Sequence, residues 1–313
     1  MTTVQARARI AAAVGAAALI ASMAGIAYAH SGAWGLPQKV DEIDGNSSEL
    51  NTAYLDGCPI QSPDGLSLYM ASNRPRYVGD TRTDLDIWVA QRKNKHASFG
   101  APQNLASPVN STADDFCPTP IRDRGLFFVS RRTVPAACGG SDIYFTRSDR
   151  RNGWSEPEHF ACQAGGGPNG PADEQGPSYL RAHGDALLYF SSGPDIYVSE
   201  QNQDGSFGPA APVAELNSAF ADLRPNVRKK GLEIVFDSNR PDTLGGQDLY
   251  SATRESVDDP WSTPVNLGTV VNTAANETRG SFWRAETLYF GRSPGPEGST
   301  DIYVTTRERH GGH

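Results

Sequence analysis

Five carboxylates recur at one place in a repeating pattern. Asp56, Asp115, Glu174, Asp222 and Glu277 each stand five residues after an asparagine: Asn51, Asn110, Asn169, Asn217 and Asn272. Three kinds of chemistry suit such a set. Paired carboxyl groups can act on a glycosidic bond, one as acid and one as base or nucleophile. Several carboxylate oxygens can hold a hard cation such as calcium. Each acid can instead be neutralised by a nearby arginine, and Arg74, Arg131, Arg240 and Arg292 stand where that pairing would occur. Catalysis needs carboxyl groups in unlike environments, so uniform acids favour pairing with arginine. No cofactor is expected, with a calcium-like cation as the one alternative.

Two residues past each acid the repeats disagree. These positions hold Cys58, Cys117, Gly176, Arg224 and Arg279. A purely structural repeat does not require that divergence. The two cysteines can bridge neighbouring repeats if their Cα atoms come within about 7 Å. That leaves Cys138 and Cys162 as the second pair. Arg224 and Arg279 place positive charge opposite the cysteines; the first expectation is that both neutralise the acid ring, and the alternative is a small anionic or polyhydroxy ligand that meets them there. The candidate binding set is therefore Asp56, Asp115, Glu174, Asp222, Glu277, Arg224 and Arg279.

The elements that position these residues are legible from a second repeat. "DLDIWVAQR", "GSDIYFTRS", "GPDIYVSEQ", "GQDLYSATR" and "STDIYVTTR" centre on Asp86, Asp142, Asp195, Asp248 and Asp301, spaced by 56, 53, 53 and 53 residues. Each unit contains four short apolar runs between turn residues, the pattern of antiparallel strands. An inner strand follows the acid. A strongly apolar strand, such as "RGLFFVSRR", comes next. The third carries the Asp-aliphatic-aromatic motif. A fourth opens on Phe99, Trp154, Phe207 or Trp261.

The motif aspartates are expected to accept hydrogen bonds from turn N–H groups. The fifth unit lacks a fourth strand before the chain ends. "AWGLPQKVDEI", with Trp34 and Pro37, has the form of the missing piece. The expected fold is thus all-β: a single five-bladed β-propeller of four-stranded antiparallel blades, its ring closed by an N-terminal strand at 33–44. The blades span about 51–109, 110–168, 169–216, 217–271 and 272–306. Closure covers edges that would otherwise pair with other chains. The loops between second and third strands are long in the first two blades and only "SGP" in the third, which predicts a wall and a gap on that face.

The strings "SPDGLSLYMASNRP", "SNRPDTLGGQDLY" and "WSTPVNLGTVVNT" resemble the WD40-like repeat known as PD40, found in TolB-type propellers and many exported bacterial proteins. The resemblance covers residues 33–309. It implies the propeller fold and carries no single activity, because the repeat serves unrelated roles.

Residues 1–29 read as a cleavable signal peptide: Arg7 and Arg9, an apolar run, then Ala27-Tyr28-Ala29. Residues 310–313 read as a loose tail. Loss of the leader moves the formal net charge from −8 to about −10, which disfavours nucleic acid. Four cysteines and an export signal fit a disulfide-forming compartment. The functional expectation is a secreted, monomeric, non-catalytic binding propeller for a protein, peptide or glycan, off the membrane once the leader is cut. Its alternative is a carbohydrate-active or other small hydrolase with carboxylates at the channel mouth.

Overall fold

A computed structural model describes residues 32–122, 125–149, 153–182 and 184–308. The expected leader and the tail from 310 lie outside the described residues. Five antiparallel sheets form the blades of a β-propeller. The N-terminal strand β1 (Gln38–Lys39) belongs to the last of them. Blade one is β2 (Asp56–Gln61), β3 (Ser67–Ser72), β4 (Asp86–Gln91) and β5 (Gln103–Asn104). Blade two is β6 (Asp115–Pro120), β7 (Gly125–Ser130) and β8 (Asp142–Asp149), with a short β9 (Gly153–Trp154) and an outer β10 (Glu158–His159) both paired to β8. Blade three is β11 (Glu174–Ala182), β12 (Asp185–Ser192), β13 (Asp195–Glu200) and β14 (Ala211–Pro212). Blade four is β15 (Asp222–Val227), β16 (Glu233–Ser238), β17 (Asp248–Thr253) and β18 (Val265–Asn266). Blade five is β19 (Asn276–Trp283), β20 (Thr287–Ser293) and β21 (Asp301–Thr306), completed by β1. The described residues contain no α-helix, only short 3-10 turns.

Closure occurs where the sequence places it. Gln38 pairs with Val304 and Lys39 with Tyr303, and Trp34 bridges Arg307. The outer strands differ from expectation in one respect. The aromatic pairs ahead of the two-residue strand, as Trp34 does with Arg307, Trp154 with Ser148 and Phe207 with Gln201, and that strand begins four positions later, at Gln38, Glu158 and Ala211. A proline usually stands between them (Pro37, Pro102, Pro157, Pro264). It has no N–H to give the ladder, so pairing breaks there and resumes after it.

Central strands are buried on both faces because blades stack face to face. All six residues of β7 are buried. One large apolar cluster fills each of the five blade interfaces, including that of blade five with blade one, where Tyr289, Ile302 and Val304 meet Leu68, Met70 and Trp88. The repeat asparagines tie these interfaces together. Each accepts from the main-chain N–H of the aliphatic residue in the preceding blade's motif: Asn110 from Ile87, Asn169 from Ile143, Asn217 from Ile196, Asn272 from Leu249 and Asn51 from Ile302. Three of the five motif aspartates cap loops, as read from sequence, whereas Asp86 accepts from the Arg76 and Asn104 side chains. Asp142 accepts from the N–H of Cys138, Asp248 from Leu244 and Asp301 from Glu297.

Candidate functional site

The five repeat acids are fully buried at the starts of the inner strands. They do not face the channel mouth. Four are held by one recurring network. Asp56 accepts from the N–H and Oγ1 of Thr52 at 2.6 and 2.7 Å, and Asp115 from Ser111, Asp222 from Ser218 and Glu277 from Thr273 in the same way. An arginine completes each: Arg74 on Asp56, Arg132 on Asp115, Arg240 on Asp222 and Arg292 on Glu277. Three of these arginines are the ones expected. In blade two the partner is Arg132, one residue beyond the expected Arg131. The pattern "S-x-R" explains it: Ser130 lies opposite Asp115 as Ser72 lies opposite Asp56, and the arginine follows at the second position. Burial outweighs Arg132 and pushes the Asp115 carboxyl up from the usual range.

Glu174 is the exception. Gly170 replaces the hydroxyl residue and Pro194 replaces the arginine. Its carboxyl accepts from Ser192 Oγ at 2.7 Å and from the Gly170 N–H. Oε2 has no partner. Burial therefore pushes its pKa up to about 8, with Asp142 and Asp173 adding to the rise.

The divergent positions two past the acids share one backbone conformation. Cys58, Cys117, Gly176, Arg224 and Arg279 have φ between 47° and 59°. Each inner strand carries a register shift there, between Gly57 and Ile60, Phe116 and Thr119, Gln175 and Ser178, Leu223 and Asn226, and Thr278 and Ser281. Such a bulge re-aims its residue, and the left-handed region costs a non-glycine residue about 1–2 kcal/mol. Four non-glycine residues accept that cost around a single axis. Cys58, Cys117, Arg224 and Arg279 accordingly line a cavity of about 570 Å³ at the channel mouth. Leu55, Leu85 and Phe116 give it an apolar side; Gln175, Gln247 and Asn276 give it a polar one.

The cysteines pair as expected. Cys58–Cys117 joins blades one and two at the cavity, with Cα atoms 4.9 Å apart, and Cys138–Cys162 has Cα atoms 5.4 Å apart. The two arginines differ in role. Arg224 reaches Asp237 at 3.0 and 2.5 Å and also touches Gln175 and Gln247. Burial opposes its charge, but Asp237 more than offsets that and raises its pKa. Arg279 crosses the channel. It donates to Pro225 O at 3.1 Å, Thr119 Oγ1 at 3.0 Å and Pro177 O at 3.2 Å, so blade five is tied to blades four, two and three. No carboxylate touches its guanidinium among the described residues, and burial pushes its pKa down. It forms the floor of the cavity.

The carboxylates near the mouth are ones that the sequence reading passed over. They lie one residue before the repeat acid, where the chain reads Leu55, Asp114, Asp173, Ala221 and Asn276. That divergence was the available signal. Asp114 lines the cavity with Arg131. Arg131 reaches Asp114 through Nη1 at 3.4 Å and Asp173 through Nη2 at 3.6 Å. Both carboxyl groups are partly exposed. Asp114 also accepts from the Leu85 N–H, and Asp173 from Ser141 Oγ.

No protein-family model matches the chain, and no curated protein matches it. Solved structures do share its fold. A xylan β-1,4-xylosidase from Bacillus halodurans C-125 superposes with a TM-score of 0.57 and 13% identity, over 83% of this chain and 54% of that one. An α-L-arabinofuranosidase from Lactobacillus brevis gives 0.53 and 12%, over 80% of this chain and 90% of that one. A GH43 endo-arabinanase from Bacillus licheniformis gives 0.51 and 12%, over 82% and 95%. The chain thus spans about half the length of the xylosidase and most of the other two. At such identities the likeness is one of fold. These relatives in fold are nevertheless glycoside hydrolases, and that finding corrects the expectation of a non-catalytic scaffold in favour of its carbohydrate-active alternative.

Proposed function

We propose that the protein is an exported carbohydrate-active hydrolase that cleaves a glycosidic bond at the channel mouth. The observation that carries this reading is the Asp114–Arg131–Asp173 arrangement beside the cavity. Two carboxyl groups on opposite nitrogens of one guanidinium stand at most about 9 Å apart, no farther than the widest separation at which such pairs act on a glycosidic bond. In this reading one of them protonates the leaving oxygen, and the other serves the anomeric carbon directly or through water. Arg131 holds both in place and keeps them apart until substrate displaces it from one. Gln175, Gln247, Asn276 and Arg224 supply hydrogen bonds for sugar hydroxyls, and Phe116 offers an apolar face. Xylan and arabinan are the first substrates to try, since fold relatives are named for xylan and arabinan cleavage. The leader and two disulfides support export, and no described helix is long and apolar enough to cross a membrane. The blade strings keep the repeat, as we read it, of PD40 type.

The test is turnover on nitrophenyl arabinofuranoside, nitrophenyl xyloside, linear arabinan and xylan. Asp114→Asn and Asp173→Asn should each lower kcat by about 100-fold or more with circular dichroism and Tm retained. Full activity in both variants, or no turnover by the unaltered chain on any glycan, would overturn the reading.

A further inference from the structure

Blade three departs from its siblings at one more place than the acid. In blade two the guanidinium of Arg132 lies over the stacked rings of Phe128 and Tyr144, at 5.2 and 5.0 Å. Arg240 covers Phe236 and Tyr250, both at 5.3 Å, and Arg292 covers Phe290 and Tyr303 at 5.5 and 4.4 Å. Blade one is a variant, with Arg74 between Trp88 and the Met70 sulfur. In blades two, four and five the same guanidinium pairs with the repeat acid and donates to the carbonyl just before the repeat asparagine: Val109, Leu216 or Val271. The chain therefore builds a socket for a guanidinium and fills it from within in four blades.

Blade three keeps the socket's walls. Phe190 and Tyr197 stack at 6.3 Å and 20°, much as Phe236 and Tyr250 do at 6.2 Å and 23°. Glu174 holds the acid position, fully buried, with Oε2 unpartnered. What changes is the cation. Opposite Glu174 stands Ser192, where blade five, the other blade with a glutamate, has Arg292 opposite Glu277. The loop is cut to Gly193-Pro194. No arginine or lysine among the described residues lies over the Phe190–Tyr197 pair. The cover is thinner as well: Asp195 and Tyr197 are partly exposed, whereas Asp86, Asp142, Asp248 and Asp301 and the rings of Tyr144, Tyr250 and Tyr303 are buried. Asp195 sits in the same cross-strand row as Ser192 and Glu174.

We infer that blade three binds a guanidinium group supplied from outside the blade, between the Glu174 carboxylate and the faces of Phe190 and Tyr197. A planar guanidinium suits both surfaces, stacking on the rings while forking onto the carboxylate. An ammonium meets only part of that demand. The source is either an arginine side chain of a polypeptide or a small free guanidinium compound. Because Glu174 holds its proton to about pH 8, binding releases that proton and tightens as pH rises toward that value. Asp142 and Asp173 act on Glu174 and favour a cation, and Asp195 joins the same cross-strand row; Arg131, 3.6 Å from Asp173, opposes one, as does His159, bonded to Asp142 at 2.9 Å, when protonated.

The test is calorimetric titration of the full chain at about pH 8.5, where Glu174 is largely ionised, with ethylguanidine, a capped Gly-Arg-Gly peptide and the matching Gly-Lys-Gly peptide. Saturable binding of the guanidinium probes, with the lysine peptide weaker by about tenfold or more, is expected. Ser192→Arg fills the socket as Arg292 does in blade five and should abolish binding while preserving or raising Tm. Glu174→Gln should abolish binding too, and gives a second variant should Ser192→Arg fail to fold. Tighter binding of the arginine peptide than of ethylguanidine assigns the source to polypeptide; equal affinity assigns it to small guanidinium compounds. No saturable binding, undiminished binding in Ser192→Arg, or equal affinity for the lysine peptide would each overturn the assignment. None of these readouts depends on glycan turnover.

Discussion

The side chain of Asn51 holds both main-chain groups of Ile302, accepting from its N–H at 2.7 Å and donating to its C=O at 3.2 Å. This one contact joins the first blade to the last. The same clamp occurs inside the ring, for instance Asn217 on Ile196. Ring closure is therefore achieved by the device that joins every other pair of blades, and β1 adds strand pairing to it.

Asn51→Leu should leave two buried main-chain groups without partners, at roughly 1–3 kcal/mol each. Urea unfolding should show that loss. Limited proteolysis should show earlier cleavage near residues 33–50 than in the native chain, because the closing segment loses its anchor. Cleavage that begins elsewhere would indicate that closure does not depend on the clamp.

Glu174 makes stability depend on pH in an unusual direction. Its folded pKa, about 8, lies above the ordinary value of 4.5. The folded state thus holds a proton that the unfolded state has lost. The resulting stabilisation is fully present below about pH 4.5 and falls as pH rises toward 8, at up to roughly 1.4 kcal/mol per pH unit. Glu174→Gln should flatten the fall in Tm between pH 5 and 8. An unchanged slope in the variant would place the titrating group elsewhere.

The blade plan was legible because it repeats. Spacing of the Asp-aliphatic-aromatic motif located the third strands, and the aromatic-x-x-Pro string at Trp34 located the closing strand. The acids were found for the same reason, but repetition also misplaced them: residues alike in every blade are those that build blades, and here all five are buried, four of them beneath arginine. Divergence was the better guide to the mouth. Cys58, Cys117, Arg224 and Arg279 were singled out by it and line the cavity. Asp114 and Asp173 diverge as well, one position earlier, yet they adjoin invariant-looking acids that drew the reading past them. The left-handed bulge could not be read at all, since cysteine and arginine carry no sign of positive φ.

Arg279 should be among the least replaceable residues of the channel. Arg279→Met would strip Pro225 O and Thr119 Oγ1 of the guanidinium, while Pro177 O keeps its bond from the Thr119 hydroxyl. Two acceptors in a buried setting suggest a loss on the order of 2 kcal/mol. Arg279→Lys should recover little, because one ammonium cannot span carbonyls from two blades and a hydroxyl from a third. Equilibrium unfolding of the two variants side by side decides this; a lysine variant of native stability would mean that charge, not the fork, is what the channel needs.

The two disulfides should contribute differently to stability and to the mouth. Cys138–Cys162 closes a separation of 24 residues and Cys58–Cys117 one of 59. Chain entropy gives about 3.5 kcal/mol for the shorter loop and about 4 kcal/mol for the longer. Cys138→Ser with Cys162→Ser should lower Tm while leaving glycan turnover at permissive temperature intact, since neither residue lines the cavity. Cys58→Ser with Cys117→Ser should lower Tm further. It should also raise KM, because these residues form the cavity wall between the first two blades. Differential scanning calorimetry and steady-state kinetics on both pairs separate the two effects. A KM shift confined to the Cys138–Cys162 pair would move the substrate site away from the channel mouth.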